Sequence, residues 1–299
     1  MRRADASTTA MPLTVRTGLV LVLASFVGVV AFGWPLLIDP GVGLARGTDA
    51  PLVLTMVLAS TVAVVFVALG DGGIDVKAVA VLGLLSALGS VLRPLSAGTA
   101  GIELVFLVIA LGGRVFGPGL GFALGSTTLF TSALLTGGVG PWLPFQMIAA
   151  SWVGLGAGLL PRRLRGRREV VVVAMYAAVA GLGYGLAMNM SWWPFQLGAG
   201  TSVSFVAGDP PLTNLHRFLL YSVSTSLGWD VGRAITTAVG VGLIGRPVLA
   251  ILRRAATRAA FSPAVEARDA TRPATASTSA PAPGESSRQH PADLVRHNI

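Results

Sequence analysis

The sequence predicts an all-α polytopic membrane protein, and three observations predict it. Of 299 residues, 53% are apolar and only 12% charged, with a mean hydropathy of +0.73. A soluble domain carries roughly twice that charge. The apolar residues gather into runs of about the 20 residues that cross a bilayer as a helix. The 22 basic residues, 21 arginines and Lys77, lie mostly between or beyond those runs. The net charge of +9 is therefore a topology signal rather than a nucleic-acid signature.

The elements follow in chain order. Residues 1–17 form a polar, arginine-bearing N-terminal segment. Gly18–Ile38 is the first span; it exceeds the apolar core of a signal peptide and has no small-residue cleavage site after it, so it reads as a retained anchor. Leu52–Leu69 is the second, and residues 18–70 hold this pair. Val76–Leu92 is the third, closed by Arg93-Pro94. A short apolar helix, Ile102–Leu111, cannot cross about 30 Å alone and must tilt or pack deep in the bundle. Phe116–Leu135, Trp142–Leu160 and Val170–Met190 are further spans. A long loop, 191–214, precedes a final helix near His216–Ile244, which gives eight helices. Residues 263–299 are rich in Pro, Ala, Ser and Thr, lack aromatics, and read as a disordered cytoplasmic tail.

Orientation follows from the arginines. With the N-terminus inside, 14 basic residues fall on the cytoplasmic side and three, Arg46, Arg93 and Arg217, on the outer side. Both termini are then cytoplasmic in a cell membrane. The Arg162–Arg168 loop reads as a stop-transfer loop against anionic lipid, not as a nucleic-acid patch.

No catalytic constellation is present. With no cysteine and only three histidines, the chain has no thiolate chemistry and little for a metal site. No phosphate-binding P-loop occurs, so the chain does not hydrolyse nucleotides by itself. No enzyme activity, metal or cofactor is expected. The charges within the membrane are Glu103, Asp230 and Arg233. Asp230 and Arg233 are three residues apart and can pair on one helix face, or can serve a coupling or substrate role. Glu103 stands at a helix N-terminus, where the dipole favours a carboxylate, with Arg93 as a candidate partner.

Small residues recur at helical spacing: Gly117, Gly121 and Gly125; Gly154 and Gly158; Gly181 and Gly185; Gly228 and Gly232. These read as close helix packing. Gly83, Ser86, Ala87 and Ser90 form one stripe, a docking face for another helix of the chain or for a partner subunit. Two similar segments stand at outer ends: Trp142, Pro144, Phe145 and Gln146, then Trp193, Pro194, Phe195 and Gln196. Rigid prolines, flat aromatic faces and amide side chains suit a neutral or amphipathic ring compound, or else an interfacial aromatic belt.

On the strings LGLLSALGSVLRPLSAGTAGIELVFLVIALGGRVFGPGLGF and GVGPWLPFQMIAASWVGLGAGLLP, followed by the arginine-rich loop, residues 76–250 resemble the substrate-binding S component of an energy-coupling factor (ECF) vitamin importer. The resemblance implies a six-helix S-component-like core, here with two additional N-terminal transmembrane helices. It implies a pocket at the outer face, formed by loops 93–101, 137–143 and 191–214. It also implies capture of a small vitamin-like molecule for an ATP-driven importer. The candidate substrate residues are Glu103, Trp142, Phe145, Gln146, Asn189, Trp192, Trp193 and Gln196. The implied partners are an ECF transmembrane coupling subunit and paired ATPase subunits. Gly83, Ser86, Ala87 and Ser90 would be the interface, although Gly and Ser replace some of the alanines that the family places there. Among members of the family, the chain most resembles those assigned to cobalamin. A stand-alone secondary carrier of a small organic solute is the alternative function. It would need internal repeats, of which the two Trp-Pro-Phe-Gln segments are a short hint, and an ionisable relay.

Overall fold

The computed structural model describes residues 15–37, 50–71, 76–96, 101–197 and 200–259. The N-terminal segment up to residue 14, Arg46, loop residues 97–100 and the 263–299 tail lie outside the described residues. Within them are nine helices and no strand: α1 (Val15–Leu37), α2 (Ala50–Asp71), α3 (Val76–Ser96), α4 (Val105–Phe116), α5 (Pro118–Thr136), α6 (Leu143–Leu159), α7 (Gly166–Gln196), α8 (Pro211–Thr225) and α9 (Leu227–Ala259). Five of these, α1, α3, α5, α7 and α9, are long and apolar enough to cross a membrane. The chain is a multi-pass membrane protein.

Three boundaries differ from the sequence expectation. First, α7 continues through Ser191–Gln196 instead of ending at Met190. Pro194 sits in its last turn, where it removes only one backbone hydrogen bond. At 31 residues, α7 is about 46 Å long at 1.5 Å per residue, so it outruns the apolar slab. Trp192, Trp193 and Gln196 thus stand on a helix, and the loop begins only at Leu197. Second, the last helix is broken at Ser226 into α8 and α9, making nine helices instead of eight. The sequence Ser224-Thr225-Ser226 is a weak helix former, and its hydroxyls turn to local carbonyls and to Asn189. Third, α9 runs to Ala259, so Arg246, Arg253, Arg254 and Arg258 extend the helix rather than follow it.

The short helix α4 is central. Every residue from Val105 to Phe116 is buried except Val115, with α3, α5, α6, α7 and α9 packed around it. This answers how a 12-residue helix sits in a bilayer: protein, not lipid, surrounds it. Its contact with α5 and α6 is set by glycine. A Cβ on Gly154 would run into the Gly121 carbonyl, and one on Gly113 or Gly121 would run into the Gly154 carbonyl. Three backbones therefore touch where lipid supplies no hydrophobic drive. Buried Ser126 and Ser151 share a hydrogen bond of 2.5 Å across the same α5–α6 seam.

This seam gives the first expected result. Ala normally stabilises a helix by roughly 0.5–1 kcal/mol over Gly. Gly183 of α7 has open space at its Cβ position, and Gly183→Ala should be neutral or stabilising. Gly154→Ala should reverse that sign and cost about 1–3 kcal/mol by prising α5 from α6. Thermal unfolding of the two variants in detergent checks it. Equal melting temperatures would mean that the seam gives way at little cost.

One end of the bundle gathers the C-terminal ends of α1, α3, α5 and α7 with the N-terminal ends of α2, α4, α6 and α9; we call it the aromatic end. The opposite end holds exposed Arg162, Arg163, Arg165, Arg167, Arg168, Arg246, Arg254 and Arg258. There buried Glu169 accepts from Arg114 at 2.7 Å and Arg253 at 2.5 Å. Arg114 also donates to the Leu160 and Pro161 carbonyls, tying α4 to the α6–α7 turn.

Candidate substrate site at the aromatic end

The connection from α3 to α4 arrives over the start of α9. Gly101 takes a left-handed φ of +78°, and a Cβ there would meet the Trp229 carbonyl. This close approach delivers Glu103 to Arg233, 130 residues away. Arg233 Nε donates to Glu103 Oε2 at 2.9 Å, and Nη2 donates to Oε1 at 3.3 Å. Nη1 donates to Asp230 Oδ1 at 2.6 Å and to the Gly181 carbonyl at 3.3 Å. The expected Asp230–Arg233 pair is present, but it is two thirds of a triad. Arg233 also lies over the Phe106 and Tyr184 rings, at 5.9 and 5.3 Å. The pair Gly181 and Gly185 makes room for it: a Cβ on Gly185 would overlap the Asp230 carboxylate.

The two Trp-Pro-Phe-Gln segments converge on this end. Aligned by spacing, Trp192 rather than Trp193 is the counterpart of Trp142, and the rings of Trp142 and Trp192 lie 6.3 Å apart. Trp142 is 38% exposed, and its indole donates to the Gly138 carbonyl at 3.1 Å. Gln146 accepts from Arg93 at 3.1 Å, which brings the end of α3 to the same place. Gln196 accepts from the Tyr221 hydroxyl at 3.0 Å. Asn189 accepts from Ser226 at 3.1 Å, while its buried amide nitrogen has no partner among the described residues.

Two expected ligand faces are turned inward. Trp193 is fully buried, donates to the Val203 carbonyl at 2.7 Å, and packs on Phe205 and Phe218. It anchors the loop after α7 instead of offering a face. Phe145 is buried against Phe32 of α1. Of the expected substrate residues, Trp142, Trp192, Gln146, Gln196, Asn189 and Glu103 are at least partly accessible, and Phe195 beside them is exposed.

Sequence reasoning missed Tyr184 and Phe106, whose rings lie 4.7 Å apart on one side of the Arg233 guanidinium, and Gly101, which fixes the approach of Glu103. Only the Gly-rich character of 98–101 signalled the last of these. The stripe on α3 also divides. Ser86 shares a 2.6 Å hydrogen bond with Thr127, and Ser90 donates to the Thr128 carbonyl at 3.0 Å, so both serve α5. Gly83 and Ala87 are exposed, with open space where a Gly83 side chain would go. The expectation of one four-residue docking face is therefore corrected. Offsets of three and four residues straddle two faces of a helix that is buried on one side.

Among the described residues there is no cluster of potential metal ligands. A family model described as ECF transporter, substrate-specific component, matches residues 77–252. The chain belongs to this family. The match spans α3 through most of α9 and excludes α1 and α2. Searches of curated proteins and of solved structures gave no match. Members of the family are transport proteins rather than enzymes. Membership implies a small-molecule substrate and ECF membrane and ATPase partners.

Proposed function

We propose that this S component captures a vitamin-like compound at its aromatic end, facing the cell exterior, and that an ATP-driven ECF module then carries out uptake. The observation that carries the reading is the convergence of the two Trp-Pro-Phe-Gln segments beside a fully paired charge triad. Open aromatic faces and amides, beside carboxylates that already accept from Arg233, fit a neutral or amphipathic ring compound. The proposed contact residues are Trp142, Trp192, Gln146, Gln196 and Glu103, with Asn189, Phe145 and Trp193 shaping the site. Cobalamin is the vitamin that the sequence favours. The arginine-rich end faces the cytoplasm, by the 14-to-3 bias, and both termini lie there. The proposed interface with the coupling subunit is the Gly83 and Ala87 face of α3.

Purification from membranes tests this. The chain should co-isolate with a coupling subunit and paired ATPases, and mass spectrometry should find a retained ring compound. Alone in liposomes it should not concentrate that compound. Concentrative uptake by this chain alone, driven by an ion gradient, would overturn the capture reading. The Glu103–Arg233–Asp230 triad would then be the place to seek a carrier's relay.

A further inference from the structure

Helices α1 and α2 lie outside the matched family region, yet they do not form a separate layer. They reach both Trp-Pro-Phe-Gln segments. On the first segment, Phe32 of α1 meets Phe145 edge-on at 5.3 Å, and the Thr55 hydroxyl of α2 donates to the Pro141 carbonyl at 2.8 Å. On the second, Trp34 of α1 stacks on Phe195 at 5.8 Å. Trp34 also touches Phe205 at 6.1 Å, and Phe205 is the ring that packs on buried Trp193. Close approach fixes α1 in place: a Cβ on Gly28 would overlap Trp152 and Ile148 of α6. Trp34 is buried and among the described residues its indole N–H has no acceptor, so what it contributes is ring surface.

We propose that the α1–α2 hairpin is a clasp that holds the two aromatic segments in register and so slows ligand exchange, with Trp34 and Thr55 as positioning residues. The role in ligand exchange rests on the capture reading; the clasp itself does not. The chemistry is specific to this arrangement. One helix presents Phe32 and Trp34, two residues apart, to the phenylalanines of the two segments, and the next helix pins the turn that leads into the first.

Hydrogen exchange of the full chain in lipid nanodiscs, with no compound added, tests the clasp. Trp34→Ala is expected to speed exchange of residues 200–206 at least tenfold. Thr55→Val should speed exchange of 138–146 by a smaller factor, and it serves as the test if Trp34→Ala does not fold. Trp34→Phe should restore the parent rates, and α4 and α5 should not change. Unaltered exchange in both segments, or the same rise in every helix, overturns the clasp. The positioning role is read by mass spectrometry of small molecules retained through a fixed wash. Retention should fall at least tenfold in Trp34→Ala and recover in Trp34→Phe, with the yield of co-isolated ATPases constant. Faster loop exchange with undiminished retention overturns that role. A parent chain that retains nothing fails the capture reading, and the exchange measurement still decides the clasp.

Discussion

Arg233→Met should destabilise the fold by about 3–5 kcal/mol, the cost of leaving buried charges without their partner. The substitution keeps the length and apolar packing of the side chain but removes four hydrogen bonds. It leaves Glu103 and Asp230 facing each other, with Asp230 only 5% exposed. At roughly 1.4 kcal/mol per tenfold, this is a shift of about two to three and a half decades in the folding equilibrium. Adding Glu103→Gln and Asp230→Asn should recover most of the loss, because a neutral trio no longer needs the guanidinium. Arg217→Met is the control. Its pair with Asp209 has side chains 23% and 34% exposed, and exposed pairs contribute about 0–1 kcal/mol. Denaturation midpoints in mixed micelles check all three. If Arg233→Met melts with the parent, the triad is not a structural tie, and its charges are free to serve a ligand.

Gly83→Leu or Ala87→Leu should abolish assembly with the coupling subunit and ATPases while leaving the S component itself intact. Ala87 is exposed, and among the described residues a Cβ on Gly83 would have nothing within 4 Å. A leucine would hold a partner helix off by several ångströms and forfeit close backbone packing. A drop of at least tenfold in co-isolated ATPase, with unchanged melting temperature, is the expected readout. Ser86→Leu should behave in the opposite way, lowering the melting temperature first, since Ser86 is buried against Thr127. Assembly that survives Gly83→Leu would move the interface to another face of the bundle.

Much of the aromatic end was legible because its residues are unusual for their setting. A charge within a span and a Trp-Pro-Phe-Gln segment stand out against Leu, Val and Ala at any register. Glu103, Asp230 and Arg233 were found this way, as were Trp142 and Gln146. The inward turn of Trp193 was not legible. Trp192 and Trp193 are adjacent and chemically identical, and only the 2.7 Å bond to Val203 and the packing of Phe205 and Phe218 decide which ring is interior. The end of α7 was misplaced for a related reason. A proline in the last turn costs little when tertiary contacts hold the turn, and a local rule cannot weigh those contacts.

The sequence alone determined the class of molecule, the positions of most spans, the arginine-rich and aromatic ends, and the absence of nucleotide-hydrolysing motifs, because each depends on composition or on local runs of residues. Only the tertiary structure decided which apolar faces are inside. In water, burial leaves a hydrophobic stripe that can be read by period. In a bilayer the lipid-facing side is as apolar as the packed side, so the period carries no such mark. That is why the α3 stripe reads as single in the sequence although Ser86 and Ser90 bond to α5. It is also why Arg233 could be paired with its helical neighbour Asp230 but not with Glu103. The contacts of α1 and α2 are hidden for the same reason: nothing in two uniformly apolar helices tells that Phe32, Trp34 and Thr55 each reach a segment at the aromatic end.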